Sequence, residues 1–351
     1  MTGNCPPIQK NALAWYGKDI AARTDRWMVE LSDADIAEIE AAAAAVSHHG
    51  ISITDIEKGD FPLPVLGKKL NALTVQLING IGFALLRRIP VERYSTEESA
   101  IIFYGIGTHL GNARMQNAKG HVLGHVRDLD MRSESPDVRI YQTNERQTFH
   151  TDSCDVVGLL CLQKAKQGGE SLLVSAVTIY NEMLESRPDL AKLLFDPIAT
   201  DRRGEVPDGM QPFFSIPVYS WEQGYLTVMY QRQYIDSAQR FEEAMRLTPE
   251  HVEALDLFDE LANDARLNLS MQLEPGELQF VYNHGLLHDR TGFDDWPETE
   301  KRRHLLRLWL SVPNDRQLPT VFEQRFGSVE PGNRGGVAMT GVEPCAPLET
   351  V

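Results

Sequence analysis

The chain has 351 residues, of which 42% are hydrophobic and 24% charged, a composition that can bury a sizeable core. All-β barrels with helical insertions reach this length as one unit, so we expect a single domain over residues 1–328. The formal net charge of −16 repels phosphate backbones and anionic membranes. We therefore expect neither a nucleic-acid partner nor a membrane partner, and an anionic substrate would need a local basic pocket.

Targeting and cysteine patterns indicate a cytoplasmic location. Residues 1–10 lack the apolar stretch of a signal peptide, and no apolar run approaches the roughly 20 residues that cross a bilayer. The four cysteines show no metal-binding or redox spacing and do not suggest a disulfide scaffold, which fits a reducing compartment.

The first predicted elements are mainly helical. Residues 32–46 begin with a serine N-cap and early acids, which predicts a surface helix that ends at the His-His-Gly sequence of residues 48–50. Adjacent histidines could bind a metal, but neighbouring side chains diverge on a helix, which favours a C-cap. A helical pattern at residues 70–78 precedes a buried strand at residues 82–90. Residues 97–110 are helical again, and their glycines lack the dinucleotide-binding spacing.

β patterns then surround a helical insertion at about residues 178–271. Short β-like runs predominate over residues 138–177, and helical patterns cover residues 178–194 and 248–271. The aromatic stretch between these helices, residues 213–234, is hairpin-like. Strands on both sides of an insertion favour an antiparallel sandwich or barrel over a doubly wound sheet, so the expected fold class is mostly β with helical insertions.

Two strands are predicted near the end of the chain, at residues 278–282 and 303–312. After residue 326 the sequence turns to Gly, Pro, Thr and Glu without periodicity. We therefore expect residues 329–351 to form a flexible C-terminal tail.

The first chemical motif is Phe-His-Thr-Asp at residues 149–152. His150 and Asp152 are two residues apart, so in an extended segment their side chains project from the same face and can meet one cation. A His-x-Asp spacing also occurs often without a metal. A third ligand would have to come from elsewhere in the chain.

Two further histidines, His284 and His288, follow the strand predicted at residues 278–282. A ligand from this region would complete two histidines and one carboxylate on one face of a metal, with positions left open for oxygen and a chelating co-substrate. That arrangement is typical of iron(II) oxygenases. The alternative is two loop histidines that only hydrogen-bond the backbone.

The strand at residues 303–312 alternates with period two, which places Arg303 and Arg307 on one face and an apolar row on the other. Unpaired arginine is almost never buried. The guanidinium fork matches carboxylate geometry, so the pair could receive the remote carboxylate of 2-oxoglutarate and one further anionic group. The alternative is that both arginines pair with internal Asp or Glu.

Together these motifs resemble the superfamily of taurine dioxygenase and 2,4-D dioxygenase, with its γ-butyrobetaine hydroxylase and clavaminate synthase relatives. The resemblance extends over residues 80–312 and rests on residues 149–152, Gly-Gly-Glu-Ser at 168–171, Leu-His-Asp-Arg-Thr-Gly-Phe at 287–293 and the arginine pair. It implies an Fe(II)- and 2-oxoglutarate-dependent dioxygenase. The implied fold is a double-stranded β-helix (jelly-roll) core flanked by α-helices.

The resemblance also implies the metal ligands, which are His150, Asp152 and His288. His288 is preferred to His284 because the family's distal histidine lies in a Leu-His-Gly-Arg-like segment. Asp289 stands where glycine is common in that segment, which puts an extra carboxylate near the metal.

The co-substrate residues are carried over in the same way. Ser171 takes the place of a threonine hydroxyl that touches the co-substrate carboxylate, Arg303 matches the main 2-oxoglutarate arginine, and Arg307 matches the second. Asn144 and Arg307 are the residues expected near the substrate, a small molecule of possible anionic or zwitterionic character. The segment between His150 and Ser171 is shorter than in taurine dioxygenase, which weakens any transfer of its sulfonate specificity.

The expected reaction consumes O2 and 2-oxoglutarate and releases succinate and CO2, with hydroxylation as its usual outcome and dealkylation, desaturation or ring closure as alternatives. A zinc hydrolase or a non-catalytic cupin-like protein could use the same metal ligands. Neither has a use for the arginine pair. A homo-oligomer is compatible with the sequence.

Overall fold

The computed structural model describes residues 5–131, 140–337 and 339–349. The helices in these ranges are α1 Gly17–Ala21, α2 Asp33–His49, α3 Leu66–Asn79, α4 Thr96–Thr108, α5 Ala176–Ser186, α6 Pro188–Leu193, α7 Arg232–Ala238, α8 Pro249–Asn263 and α9 Glu323–Phe326. The strands are β1 Met28–Glu30, β2 Phe83–Arg87, β3 Asn112–Ala113, β4 Leu123–Val126, β5 Gln147–His150, β6 Val156–Gln163, β7 Gln167–Gly168, β8 Ser171–Ser175, β9 Ile198–Asp201, β10 Phe213–Ile216, β11 Tyr219–Glu222, β12 Tyr225–Val228, β13 Asn268–Met271, β14 Leu278–Tyr282, β15 Leu286–Arg290, β16 Phe293–Asp294 and β17 His304–Ser311.

Two main sheets organise these strands. The larger has seven strands in the order β1-β2-β14-β6-β17-β3, with β4 also paired to β17. The smaller has four strands in the order β13-β8-β15-β5. All neighbours in both sheets are antiparallel except β1 and β2. The fold is therefore rich in antiparallel sheet with helices around it, as the sequence predicts.

The two faces of the larger sheet pack into different cores. Along β17, Leu306 and Leu308 join a core that includes side chains of α2, α3 and α4. Leu305 and Trp309, on the opposite face, join a core built with the smaller sheet and helices α5, α6 and α8. The period-two alternation predicted for this strand is thus confirmed, and it decides which side chains can reach the space between the sheets.

The predicted helical insertion differs from the observed one at its end. α8 ends at Asn263, and β13 covers residues that were expected to continue the helix. The cause is tertiary, since β13 pairs in register with β8 and extends the smaller sheet. The hairpin expected in the aromatic stretch is present as β11 and β12, and Gly50 caps α2 in the left-handed conformation (φ 65°).

The C-terminal segment is not the flexible tail that the sequence predicts. In its described parts, residues 329–337 and 339–349, Arg334 is fully buried and Gly336 N donates to Ser153 O at 2.7 Å. Further on, Cys345 N donates to Gly120 O at 2.8 Å. Glycine-rich composition could not reveal this packing because the partners lie far away in the sequence. None of the described helices is long and apolar enough to cross a membrane.

Candidate metal centre

Three potential metal ligands meet between the two sheets. His150 ends β5, and the register of the smaller sheet pairs it directly with His288 of β15. Asp152 follows two residues after His150. His150 Nε2 lies 3.9 Å from Asp152 Oδ1, and His288 Nε2 lies 3.6 Å from Asp152 Oδ2. One donor atom from each of the three buried side chains lies within 4.8 Å of the others, the spacing that a shared metal ion requires.

The hydrogen bond of His150 selects the ring nitrogen that could bind a metal. Its Nδ1 lies 2.8 Å from Thr148 O, a carbonyl that can only accept, so Nδ1 carries the proton. Burial, followed by the proximity of His288, lowers the pKa of His150 to about 3. The ring is therefore neutral, and its Nε2, which accepts a hydrogen bond from Gln147 Nε2 at 2.9 Å, has the lone pair that a metal would take.

Asp152 is held as a carboxylate. Burial would raise its pKa, but the nearby Arg307 guanidinium and His288 outweigh this effect and bring the pKa below its usual range. Trp309 Nε1 donates to Asp152 Oδ2 at 2.9 Å, and Asp152 N donates to Asn283 Oδ1 at 3.0 Å. Sequence reasoning did not find Trp309 and Asn283, although Trp309 shares a strand face with Arg307.

His284 belongs to a separate buried cluster. Its Nε2 lies 2.7 Å from Asp155 Oδ1. A second carboxylate, Asp315, completes a group with metal-like spacing, but Arg334 already binds both acids at 2.8 Å. This cluster is therefore a salt-bridge network, and of the two histidines it is His288 that lies beside His150.

A cavity, here called the inner cavity, extends from these side chains into the space between the sheets. His150, His288, Ser171, Arg303 and Arg307 all line it. Ser171 Oγ donates to Gln279 Oε1 at 2.9 Å. The structure thus brings together the three candidate metal ligands and the three candidate co-substrate residues.

Arg303 is a buried cation in this cavity with an unsatisfied donor. It is 5% exposed, and burial lowers its pKa to about 10. Its buried Nη1 has no hydrogen-bond partner among the described residues. A Cβ on Gly169, whose φ is +74°, would lie 3.1 Å from Arg303 Nε, so glycine leaves the guanidinium its space. A carboxylate would satisfy this group.

Arg307 lies between the metal ligands and a second cavity, here called the outer cavity. Asp152, Tyr141 and Trp309 also line this outer cavity. Arg307 Nε donates to Gln116 Oε1 at 2.8 Å, and its Nη1 is 4.0 Å from Asp152 Oδ2. The guanidinium stacks over Tyr141 and Trp309, with 4.6 and 5.3 Å to the ring centroids. These contacts hold it beside the carboxylate ligand.

Two expectations from the sequence are modified here. Asp289 does line the inner cavity, but Arg146 Nη2 binds its carboxylate at 2.6 Å. Asn144 is exposed and is not among the residues that line either cavity, so nothing in the described structure supports its expected place near the substrate, which stays a prediction. Its carbonyl oxygen instead accepts a hydrogen bond from Phe293 N at 3.1 Å. Asn144 follows a turn, and backbone pairing directs its side chain outward.

Arg290 is a cavity residue that sequence reasoning did not single out. Its Nη1 donates to Thr143 O at 2.9 Å, while its buried Nε has no partner among the described residues. Burial and then the nearby Arg303 lower its pKa to about 9. Both guanidiniums stack on Phe293. The inner cavity is therefore strongly electropositive at the end away from the carboxylate of Asp152.

Known proteins share this architecture. Residues 48–309 match the family described as "Taurine catabolism dioxygenase TauD, TfdA family". FR-33289 synthase of Streptomyces rubellomurinus is 37% identical over 303 residues, 84% of this chain and 88% of the synthase. Taurine hydroxylase-like protein SAT17 of Stachybotrys chartarum is 33% identical over 306 residues, 84% of this chain and 78% of that protein.

A solved structure shares the fold. Asparagine oxygenase, in complex with Fe(II), 2S,3S-3-hydroxyasparagine and succinate, superposes with a TM-score of 0.63 at 18% identity and covers 81% of this chain and 93% of its own. The chain belongs to the TauD, TfdA family. It is an Fe(II)- and 2-oxoglutarate-dependent dioxygenase, as the motifs predict, and the hydrolase and cupin alternatives are not favoured.

Proposed function

We propose that His150, Asp152 and His288 hold the iron(II) and that Arg303, Ser171 and Arg307 bind 2-oxoglutarate. The observation that carries this assignment is the buried, unpartnered Nη1 of Arg303 in a cavity lined by the metal-ligand histidines. A dicarboxylic acid could reach the guanidinium with one end and the metal ligands with the other. Two neutral imidazoles and one carboxylate form a donor set that suits iron(II).

The protein's own groups have distinct roles in this proposal. Bound iron and 2-oxoglutarate supply the oxidising chemistry, with O2 as oxidant and succinate and CO2 as products. Trp309 fixes the orientation of Asp152, and Thr148 O fixes the tautomer of His150. Arg303 binds the remote carboxylate and Ser171 donates a hydrogen bond to it. Arg307, next to Asp152, orients the co-substrate and the substrate.

The substrate is proposed to be a small molecule that is hydroxylated at a C–H bond facing the metal. The outer cavity opens onto His150 and Asp152, so a molecule held there would face the proposed metal ligands. The crystallised asparagine oxygenase holds a hydroxylated amino acid, which supports hydroxylation as the reaction type here. We also propose that the two main sheets form the expected jelly-roll core, and that the protein, with four unpaired thiols, works in the cytoplasm.

Anaerobic titration with Fe(II) and 2-oxoglutarate tests the proposal. Iron chelated by a 2-oxo acid gives a weak visible charge-transfer band, which we expect in the wild type and not in His288→Ala. The control is His109→Gln, because His109 is a buried histidine whose Nε2 lies 2.8 Å from Phe61 O, outside both cavities. A wild-type protein without the band, or a His288→Ala variant that keeps it, would contradict the assignment.

A further inference from the structure

The outer cavity contains a second pair of arginines. Arg202 and Arg325 both line it, together with His150 and Asp152. The two guanidiniums lie over the same aromatic ring, with 5.4 and 5.8 Å from their central carbons to the centroid of Phe214. Two positive charges are therefore held close together on one wall of the proposed substrate cavity.

Arg202 lacks an acidic partner among the described residues. It is 4% exposed, and its Nε donates to Gln211 O at 3.0 Å while its Nη2 donates to Gln324 O. Within the described ranges its Nη1 makes no hydrogen bond. Burial and then the charge of Arg325 lower the pKa of Arg202 to about 10. Neutral carbonyls position this cation without neutralising it.

The two carboxylates on the same wall have partners other than Arg202. Asp201 accepts hydrogen bonds from Arg240 Nη1 and from Ser237 Oγ, outside the arginine pair. Glu205 Oε2 lies 3.7 Å from Arg325 Nη2 and forms an ion pair with it. This positive wall stands in a chain with a formal net charge of −16. The charge of Arg202, which is buried, remains without a carboxylate partner among the described residues, and burying such a charge is unfavourable unless an anion joins it.

The pair also lies close to the proposed metal centre. Arg325 Nε donates to Ser153 Oγ at 2.8 Å, and Ser153 is the residue after Asp152. We propose that Arg202 and Arg325 bind an oxyanion group of the substrate: a carboxylate, sulfonate, phosphonate or phosphate. This inference rests on the proposed function for the identity of the cavity as the substrate site. Each guanidinium offers a planar fork of donors that fits such a group.

Calorimetric titration of the metal-free protein with methylphosphonate tests this inference. The Arg303→Met background is used so that the inner cavity does not also bind the anion. We expect saturable binding, and at least a tenfold loss of affinity when Arg202→Met or Arg325→Met is added. Arg246→Met is the matched control because Arg246 also donates to backbone carbonyls, but from an exposed position outside both cavities. The Arg246→Met variant should bind methylphosphonate with the same affinity as the Arg303→Met protein.

Two additional variants separate loss of binding from folding defects, and a comparison of three anions identifies the preferred oxyanion. Arg202→Lys keeps the charge without the fork, so it should still lose affinity, and Glu205→Gln should bind at least as tightly as the background. Acetate, methanesulfonate and methylphosphonate are compared, and neutral dimethyl sulfone should not bind. Absence of saturable binding by any of the three anions, or affinity unchanged in both arginine variants, would overturn the proposal. Neither result would alter the Fe(II)–2-oxoglutarate band, so the two proposals fail separately.

Discussion

Replacing Trp309 with Phe should weaken metal binding without removing a metal ligand. The indole Nε1 donates to Asp152 Oδ2 at 2.9 Å, and the ring is 5% exposed in the core between the sheets. Phe keeps most of this packing but has no donor. A hydrogen bond to a charged group contributes about 1.5–3 kcal/mol, which corresponds to about 10- to 150-fold in a binding constant. Substituting a residue that hydrogen-bonds a metal ligand typically lowers metal affinity by about 10- to 100-fold.

The assay for this variant is anaerobic titration with Co(II), followed by its visible absorption. We expect the dissociation constant to rise by about one to two powers of ten. Trp296→Phe is the control, because Trp296 is 37% exposed and lies outside both cavities. Urea unfolding of both variants separates loss of packing from loss of the hydrogen bond. A Co(II) affinity within twofold of wild type would refute the reasoning that Trp309 orients Asp152.

Three further substitutions test other parts of the structure. Ser171→Ala should raise the apparent 2-oxoglutarate constant by about one to two powers of ten with iron affinity nearly unchanged, since one charged hydrogen bond is lost; an unchanged constant would remove Ser171 from the site. Arg303→Lys should mainly weaken 2-oxoglutarate binding, whereas Arg307→Lys should mainly uncouple succinate formation from substrate oxidation; equal, mild effects would argue against both roles. Arg334→Met leaves two buried carboxylates uncompensated and should lower the free energy of unfolding by about 3–5 kcal/mol, against about 0–1 kcal/mol for the exposed ion pair broken in Arg266→Met. A loss below about 1 kcal/mol for Arg334→Met would mean that the C-terminal segment contributes little.

The last strand of the larger sheet, β17, which begins just after Arg303 and contains Arg307, was predictable because its signal is local. Alternation with period two is a property of neighbouring residues, and it placed Arg303, Arg307 and Trp309 on the face that lines the site. The end of α8 was not predictable in this way. Residues that continue a helical pattern form β13 because pairing with β8 is available only in the folded chain.

The two distal histidines show where local reasoning ends. His284 and His288 flank the start of β15, and their own sequence does not distinguish a metal ligand from a structural residue. The choice of His288 came from family resemblance. In the structure it follows from the register between β15 and β5, which sets His288 opposite His150, while His284 contacts Asp155.

By itself the sequence determined the chemistry that depends on short spacings: the His-x-Asp pair at residues 150–152, the shared face of Arg303 and Arg307 and the glycine turn before Ser171. Residues two or four apart lie on the same face of any extended segment, whatever the fold, because side-chain direction alternates along a strand. Only the tertiary structure decided that Trp309 binds Asp152, that Asn144 faces outward and that Arg334 anchors the C-terminal segment. These outcomes depend on groups far apart in the sequence. Their buried charges and donors acquire partners only when the sheets and the C-terminal segment pack together.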